Sequence, residues 1–286
     1  MIGCVVLNYN DAKTTVEFVQ RVKNMDSIDL IVVIDNCSTD DSYIQLKILE
    51  SNKVHVIKSE KNGGYGYGNN VGIDYLKDKV DYIMVANPDV IFEEHVVSNL
   101  VSSFDKDTAI VAPLTLQPDG KRQQPEAWKV PVIKDYFLFS SKILNKKLRP
   151  MWYPKEYLSH GIVEVDCVQG CFFMIRTDIL PETLYDENIF LFFEESCIGK
   201  YFKDNGLKTK LLIDTTYIHN HSASINKSFQ SEVKKRKITL DSFYVYFKDY
   251  YDLSPFLLWI MRMYKKIIYI ENYIILKTLY NYVVKL

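Results

Sequence analysis

The chain has 286 residues, 48% of them hydrophobic, and a formal net charge of -1 at pH 7. That length and apolar content are enough for one large α/β domain with a buried core. A charge so close to zero gives no general attraction for nucleic acid, so we expect no nucleic-acid partner. With 11 glycines and 9 prolines, the composition also excludes low-complexity and disordered classes.

Five cysteines are scattered along the chain, at positions 4, 37, 167, 171 and 197. Their number is odd, and no second pair joins Cys167 and Cys171 to complete a zinc site. We therefore expect free, mostly buried thiols in a reducing cytoplasm. Residues 1–7 lack a basic start and a long apolar stretch, so they predict a strand and not a signal peptide.

Short β-branched runs alternate with amphipathic stretches over the first 112 residues. The runs cover residues 2–7, 30–35, 54–57, 82–86 and 110–112. Helices are predicted after Asp11, after Ser38 or Asp40, and over 72–77 and 93–104. This alternation predicts an α/β fold: a mostly parallel sheet with right-handed crossovers, flanked by helices on both faces.

The middle of the chain is less regular. Residues 113–160 contain six prolines together with Trp128 and Trp152, and we expect this stretch to cross the mouth of the sheet as an acceptor region. Strand-like runs return at 162–168 and 171–176. A helix is predicted over 195–205 with Gly206 as its C-cap, followed by a short strand at 210–213.

The last part of the chain has a different character. From residue 255 onward there are five basic residues (Arg262, Lys265, Lys266, Lys277, Lys285), one acid (Glu271) and seven aromatics. No stretch reaches the roughly 18–20 uninterrupted apolar residues of a spanning helix. We therefore predict a catalytic unit over 1–228 and an amphipathic helical appendage over 229–286 that contacts a membrane surface peripherally. Alternatively, these helices pack on the catalytic domain or on a second subunit of a homodimer.

Polar side chains follow the first two predicted strands. Asn8 and Asn10 come after the first strand, and Asp35 and Asn36 stand at the end of the second. Ligands in open parallel sheets bind beyond the carboxyl ends of the strands. A carboxylate such as Asp35 can accept the N3–H of uracil or thymine there. The alternative is a cluster of helix N-cap residues.

A glycine-rich stretch, residues 62–72, follows the third predicted strand and includes Asn62, Gly64, Asn69 and Asn70. It fits neither the dinucleotide-binding fingerprint nor the P-loop. Its glycines would allow the backbone to approach a ligand closely or to adopt positive φ. Alone, the stretch is weak support for a binding site.

Asn87, Pro88 and Asp89 follow the fourth predicted strand. An acid held by proline at the end of a buried strand suits Mg²⁺ or Mn²⁺, since both prefer oxygen ligands and are completed by phosphate and water. The alternative is a plain turn built by the Asn-Pro-Asp sequence.

Two adjacent acids, Glu194 and Glu195, follow an apolar aromatic stretch. Partial burial and like-charge crowding would raise the pKa of a carboxylate here toward that of a general base. The alternative is an acidic first turn of a helix, which the helix dipole favours. Further on, His219 and His221 would point to opposite sides of an extended segment, so at most one faces a shared site.

Together and in this order, these segments resemble the family 2 glycosyltransferases of the GT-A (Rossmann-like) fold. The similarity is strongest to the rhamnosyltransferase-like branch that builds bacterial O-antigen, capsule and other cell-wall polysaccharides. It covers about residues 2–224. The segments that carry it begin at Val5, Asp35, Asn62, Asn69, Asn87, Gly170, Asp186 and Glu194, with His219 at the end.

The resemblance implies roles for individual residues. Asp35 would contact the pyrimidine of the donor, and Asp89 would bind Mn²⁺ or Mg²⁺, with Asn87 on the ribose or the metal. Glu195 falls where the family has its catalytic Asp, and Cys197 stands where a further acid is usual. His219, or failing that His221, would be a second metal ligand.

The implied reaction is direct displacement with inversion. A dTDP- or UDP-linked sugar, with rhamnose among the candidates, would be transferred to a saccharide or lipid-linked acceptor at the cytoplasmic face of the cell membrane. The substitutions at positions 195 and 197 motivate an alternative from another class. In that alternative, the chain is a non-catalytic partner subunit of a transferase complex that binds a sugar nucleotide.

Overall fold

A computed structural model describes residues 1–148, 151–220 and 229–283. The first part contains β1 (Ile2–Asn8), α1 (Ala12–Val22), β2 (Leu30–Asp35), α2 (Ser42–Lys47), β3 (Val54–Lys58), α3 (Tyr65–Leu76), β4 (Tyr82–Ala86), β5 (Val90–Ile91), α4 (Glu94–Ser102) and β6 (Thr108–Leu116). After it come β7 (Ala127–Trp128), α5 (Ile133–Ser140), α6 (Lys142–Leu148), β8 (Ile162–Val165), β9 (Cys167–Val168), β10 (Phe172–Arg176), α7 (Glu194–Asp204), β11 (Lys208–His219), α8 (Phe229–Tyr250) and α9 (Pro255–Val283).

The described strands form one large mixed sheet and a small two-stranded one. In the large sheet the order is β3-β2-β1-β4-β10-β6-β11-β5, and β8 pairs with β11. The half made of β3, β2, β1 and β4 is parallel, as predicted. The other half is not, because β10 runs antiparallel to both β4 and β6, while β11 runs parallel to β6. The α/β fold is confirmed, and its sheet is mixed.

Helices cover both faces of this sheet, so each face carries a core. Along β1, Cys4 and Val6 pack into one core and Val5 into the other, and all three side chains are fully buried. This follows from the alternation of side chains along a strand. It explains why the strands are continuously apolar, as expected for a sheet covered on both faces.

Several elements differ from their predicted bounds, among them β6, which spans Thr108–Leu116 where residues 110–112 were predicted. Helix α3 begins at Tyr65, so most of the glycine-rich stretch is helix and not loop. Strand β11 extends to His219, well beyond the predicted residues 210–213. The prediction stopped short because the second half of this strand alternates buried and exposed positions and has no continuous apolar run. The predicted strand 162–168 is divided into β8 and β9, which join different sheets.

Some other local predictions are confirmed, while two helix caps differ. Asp11 caps α1 by accepting the N–H of Thr14. The C-cap of α7 is Asn205, one residue before the predicted Gly206, which follows with φ of 72°. All five cysteines are free. The predicted cap of α2, Ser38 or Asp40, is wrong: the N-cap is Asp41, and Asp40 accepts the N–H of Ser42 at 3.0 Å.

The C-terminal helices pack on the sheet domain through a third, aromatic core. On α8, Phe243 is fully buried, and its ring stacks on Phe193 with centroids 4.2 Å apart. Tyr136 of α5 lies in the same cluster and donates its hydroxyl to the carbonyl of Met261 on α9. Packing on the sheet domain therefore accounts for the inner faces of α8 and α9. The predicted boundary at 228/229 lies beside residues 221–228, outside the described part of the chain, and stays a prediction.

Replacing Phe243 by Ala is expected to destabilise the whole fold by about 3–5 kcal/mol, the usual cost of truncating a buried Phe. The measurement is urea unfolding followed by far-ultraviolet circular dichroism. Phe256→Ala is the matched control, because Phe256 is 69% exposed on α9. If Phe243→Ala removed only a minor helical transition and left the main midpoint unchanged, the shared core would be wrong.

Candidate active site

Sequence-distant segments meet at the carboxyl edge of the central strands. Strands β1 and β2 run parallel, so Asn8 lies opposite Asp35 at this edge. Strand β4 is parallel to β1, and β10 pairs antiparallel with it, Phe172 opposite Ala86. The residues before β10 therefore stand beside those after β4. Because β11 runs in the same direction as β4, its last residue, His219, reaches this edge too.

Asp35 is fully buried at this edge. One carboxylate oxygen accepts from Asn8 Nδ2 at 3.0 Å, and the other accepts the backbone N–H of Ser38 at 3.1 Å. Asn8 also accepts the hydroxyl of Thr15 at 2.9 Å. In this conformation Asp35 fixes the loop after β2, and a nucleotide base could reach it only if that loop moved.

The other predicted amides of this region tie the neighbouring loops together. Asn10 is exposed and accepts the N–H of Thr39 at 2.8 Å. Asn36 is buried and donates from Nδ2 to the side-chain oxygen of Asn62 at 3.2 Å and to the carbonyl of Gly64 at 3.0 Å. The loops after β1, β2 and β3 are thus joined by side-chain hydrogen bonds.

Gly64 is the N-cap residue of α3 and has φ of 98°, a conformation that favours glycine. A Cβ there would lie 2.2 Å from the carbonyl oxygen of Phe190, which also accepts the N–H of Tyr65 at 3.0 Å. The positive φ expected of this glycine stretch is therefore present at Gly64. It lets the start of α3 touch the segment that leads to Glu194.

Asn69 and Asn70 are buried in α3 and make structural contacts. Asn69 donates to the carbonyl of Tyr65 at 3.0 Å. Asn70 donates to the carbonyl of Tyr185 at 2.9 Å and accepts its N–H at 3.0 Å. It also donates to Glu187 at 3.1 Å. Asn70 therefore positions the segment before α7, while the bond of Asn69 stays within α3; both were predicted to bind substrate.

Tyr65 joins the loop after β4 to the loop before β10. Its hydroxyl lies 2.9 Å from Asn87 Oδ1 and 2.8 Å from the carbonyl oxygen of Gly170. Gly170 in turn donates its N–H to Glu195 Oε1 at 3.2 Å, and a Cβ at Gly170 would come within 2.5 Å of that oxygen. An unbroken hydrogen-bonded route thus leads from Asn87 to Glu195.

Asp89 and His219 lie side by side near the Asn87 end of this route. His219 Nε2 is 3.3 Å from Asp89 Oδ1, and their side chains are 9% and 18% exposed. Burial disfavours a charged imidazole, but the hydrogen bonds to Asp89 and to the sulfur of Cys171 outweigh burial and raise the pKa of His219 to about 10. His221 lies outside the described residues.

The pair fits a divalent cation in part. A carboxylate oxygen and an imidazole nitrogen are both ligands for Mn²⁺, and two protein ligands leave positions for phosphate oxygens and water. His219, whose raised pKa keeps it protonated without a metal, would have to release its proton for a cation to bind. Over residues 1–148, 151–220 and 229–283, no cluster of three or more His, Cys, Asp or Glu side chains is arranged for a metal. A cation held by Asp89 and His219 would therefore depend on further oxygens from a bound phosphate group and water.

Glu194 and Glu195 begin α7 directly after two residues with left-handed backbones. Phe192 and Phe193 have φ of 71° and 73°, which costs conformational energy for a bulky side chain. Such local strain is common at functional sites and is held by the surrounding structure. Here the stacking of Phe193 on Phe243 supplies that support.

The two glutamates differ in access. Glu194 is 3% exposed, whereas Glu195 is half-buried and borders a cavity. Burial, and then the charge of Glu195, raise the pKa of Glu194 well above the ordinary value. Burial also raises the pKa of Glu195. Of the two, Glu195 is the carboxylate that a ligand can reach.

The cavity beside Glu195 has a volume of about 300 Å³ and is walled by aromatic side chains. It is lined by Pro125, Trp128, Phe139, Met151, Trp152, Gln169, Phe192, Phe193, Glu195, Ser196 and Thr239. Many of these belong to residues 113–160, the stretch predicted to be the acceptor region. Thr239 comes from α8, so the helical appendage contributes to the wall.

The contacts of two contributors to this site were not predicted from the sequence, although Trp128 was named with the expected acceptor region. Tyr65 lies in the glycine-rich stretch but was not predicted to be a site residue. An aromatic side chain with a hydroxyl among glycines is the sequence feature that could have indicated it. Trp128 donates from Nε1 to the hydroxyl of Ser196 at 3.1 Å and so holds the first turn of α7. That contact depends on tertiary packing and leaves no signal in the sequence.

Comparisons with known proteins agree with this geometry. Residues 4–182, more than half of the chain, match the family model for glycosyl transferase family 2. The hexosyltransferase Agl10 of low-salt glycan biosynthesis in Haloferax volcanii is 24% identical over 68% of this chain and 59% of its own length. The rhamnosyltransferase WbbL of Escherichia coli is 24% identical over 57% of this chain and 67% of its own. The chain thus spans between about half and two thirds of the length of these two relatives.

Solved structures show the same fold at low sequence identity. The mannosyltransferase PcManGT from Pyrobaculum calidifontis, in complex with GDP-Man and Mn²⁺, superposes with a TM-score of 0.59 at 11% identity, covering 91% of this chain and 68% of that one. TarS of S. aureus in complex with UDP gives 0.54 at 15% identity, covering 90% and 68%. The chain belongs to glycosyl transferase family 2 and has the GT-A fold.

Proposed function

We propose that this chain is an inverting, metal-dependent glycosyltransferase of cell-surface polysaccharide synthesis. It transfers a sugar from a dTDP- or UDP-linked donor, with rhamnose among the candidates, to a hydroxyl of a saccharide or lipid-linked acceptor. The observation that carries this proposal is the hydrogen-bonded route from Asn87 through Tyr65 and Gly170 to Glu195, which brings the Asp89 side and the Glu195 side to one edge. The named hexosyl and rhamnosyl activities of two relatives support the sugar class.

The donor diphosphate is proposed to lie by Asp89 and His219. When bound there, Mn²⁺ or Mg²⁺ would neutralise the charge that develops on the leaving diphosphate. Asn87 lies near enough to help orient the ribose or the cation, with its side-chain oxygen already fixed by Tyr65. The role of Asp35 as the base contact stays a prediction that requires the loop after β2 to open.

Glu195 is proposed as the general base. Its carboxylate borders the aromatic cavity, so it can accept the proton of an acceptor hydroxyl placed there. The raised pKa of Glu195 brings it closer to the neutral range in which a base works well. Attack from the cavity side, opposite the diphosphate, inverts the anomeric carbon. Glu194 is too deeply buried to reach a substrate and helps to set the charge around Glu195.

The cavity is proposed to bind the acceptor sugar. Trp128 and Trp152 offer flat apolar surfaces, on which the apolar face of a sugar ring can pack. Gln169 and Ser196 add polar groups at the same wall. This arrangement of an apolar site with a few polar groups is typical of small-molecule sites.

Replacing Glu195 by Gln is expected to lower kcat by roughly 10²–10⁴-fold, the usual contribution of a general base. The binding of UDP in the presence of Mn²⁺ should remain, because Gln keeps the size of the side chain. Replacing Asp89 by Ala should instead remove the metal-dependent part of UDP binding. The measurements are donor turnover with Mn²⁺ and calorimetric titration of UDP, and the anomeric configuration of the product is checked by NMR.

Glu194→Gln is the matched control, and its loss of kcat should be much smaller. A larger loss for Glu194→Gln than for Glu195→Gln would reverse the assignment of the base. If the unmodified chain binds UDP or dTDP but turns over no donor sugar, the alternative of a non-catalytic partner subunit replaces this proposal. Retention at the anomeric carbon would contradict the direct displacement.

Replacing Trp152 by Ala is expected to lower transfer to octyl glycoside acceptors by about two- to tenfold, since an aromatic contact contributes about 0.5–1.5 kcal/mol. Slow hydrolysis of the donor should continue at the normal rate, because Trp152 lies on the acceptor side. The ratio of transferred to hydrolysed sugar measures the effect. Trp259→Ala, on the exposed face of α9, should leave the ratio unchanged. Equal losses of transfer and hydrolysis in Trp152→Ala would remove the cavity from the acceptor path.

A further inference from the structure

Helix α9 carries an apolar stripe along its outer face. We call it the α9 stripe; its residues are Phe256, Trp259, Met263, Ile267, Ile270 and Ile274. They recur every three or four positions, so they share one side of the helix. Their exposed fractions lie between 39% and 69%. Met261 and Ile268, on the opposite side, are at most 4% exposed and pack against the rest of the protein.

The stripe is too large for ordinary surface apolarity. Six large apolar side chains along one helix form a contiguous patch, and patches of this kind mark interaction surfaces. Residues 255–283 form one helix, but no helix of the described chain is both long and apolar enough to cross a membrane. A partner of the α9 stripe would therefore lie flat against the outer face of this helix.

Positive charge borders the stripe. Arg262, Lys266 and Lys277 are exposed and fall along one edge of it by helical periodicity. The one acid of α9, Glu271, accepts the hydroxyl of Ser141 at 3.0 Å, on the side that faces the protein. The stripe therefore has exposed cations beside it and no exposed acid on its own helix.

A groove between α8 and α9 continues this surface. Its volume is about 350 Å³, and it is lined by Lys237, Leu240, Asp241, Lys265, Lys266, Tyr269 and Ile270. Asp241 is already paired with Lys265 at 2.6 Å. Lys237 and Lys266 thus stand exposed above an apolar floor that shares Ile270 with the stripe. The apolar floor of the groove suits the acyl chain of a lipid, and its cationic rim suits the phosphate of the headgroup.

We propose that the α9 stripe and its basic edge bind the surface of a bilayer that contains anionic phospholipid, with the axis of α9 in the plane of the interface. Apolar burial and attraction to anionic headgroups act together in such helices. Trp259 is well placed for the headgroup region, where an amphipathic ring is favoured. A second copy of the chain fits less well, because it would bring basic edges together and α9 offers no exposed acid to pair with them.

The test is co-sedimentation of the full chain with vesicles of phosphatidylcholine alone and of phosphatidylcholine mixed with phosphatidylglycerol. We expect binding to the mixed vesicles that weakens as salt is raised. Ile267→Asn with Ile270→Asn should weaken it by about tenfold or more, because two apolar side chains leave the interface. The emission of Trp259 should shift to the blue on binding, and the shift should disappear in Trp259→Phe.

Ile44→Asn with Ile48→Asn is the matched control, because these two isoleucines are 70% and 83% exposed elsewhere on the protein. It should bind vesicles as the unmodified chain does. Arg262→Gln with Lys266→Gln and Lys277→Gln should lose roughly tenfold or more on mixed vesicles, with no loss on neutral ones.

Three results would overturn the proposal. The chain could fail to bind the mixed vesicles, or the Ile267→Asn, Ile270→Asn variant could bind them as tightly as the unmodified chain. The third is a dimer that this variant dissociates, without vesicle binding, which would assign the stripe to a second copy. None of these readouts depends on sugar transfer, so they do not test the proposed activity.

Discussion

The hydroxyl of Tyr65 is the contact on which the arrangement of this site depends. It holds the side chain of Asn87 and the backbone of Gly170 at 2.9 and 2.8 Å, and so fixes the loop after β4 to the loop before β10. Asp89 extends from the first loop, and Glu195 is bonded to the second. Apart from this bridge, the two loops are joined by the antiparallel pairing of β10 with β4 and by the bond from the Asn87 N–H to the Cys171 carbonyl at 2.8 Å, so the Tyr65 hydroxyl is the side-chain contact that adds to this backbone pairing. Because burial raises the pKa of Tyr65 well above its ordinary value, the bridge keeps its proton through the neutral range.

The part of the site around Glu194 and Glu195 is supported by the aromatic core of the C-terminal helices. Phe193, strained at φ of 73°, stacks on Phe243 of α8 directly before Glu194 and Glu195. The appendage therefore does more than extend the chain: it supports the backbone that aims Glu195 at the cavity. Through Thr239 it also contributes to the cavity wall. The same helices present the α9 stripe on their outer face, which would bring the site to a membrane surface.

Much of the fold and the edge where the site lies could be predicted from the sequence. Parallel strands with apolar cores have clear patterns, so the positions of Asn8, Asp35 and Asn87 at strand ends followed from local sequence. The resemblance to a family added roles for Asp89, Glu195 and His219 that the residues alone left open. The proximity of Asp89 to His219 was implied only by that resemblance, since it depends on the pairing of β5 with β11.

What could not be predicted depends on contacts between distant elements. The start of α3 was missed because glycines disfavour helix, a preference that packing against β1 and Tyr185 overrides here. The bond that holds Asp35 to Asn8 and the bond that holds Asn70 to Tyr185 join elements that are distant in the sequence. Tyr65 was missed for the same reason, because both of its partners lie in segments that only the folded sheet brings together.

Anomalous X-ray diffraction at the manganese edge, from crystals of the chain with UDP and Mn²⁺, tests the central claim most directly. The account predicts one strong manganese peak beside Asp89 and His219, with the nucleotide at the same edge of the sheet as Glu195. Manganese bound away from Asp89, or a nucleotide seated at a different edge of the sheet from Glu195, would contradict it.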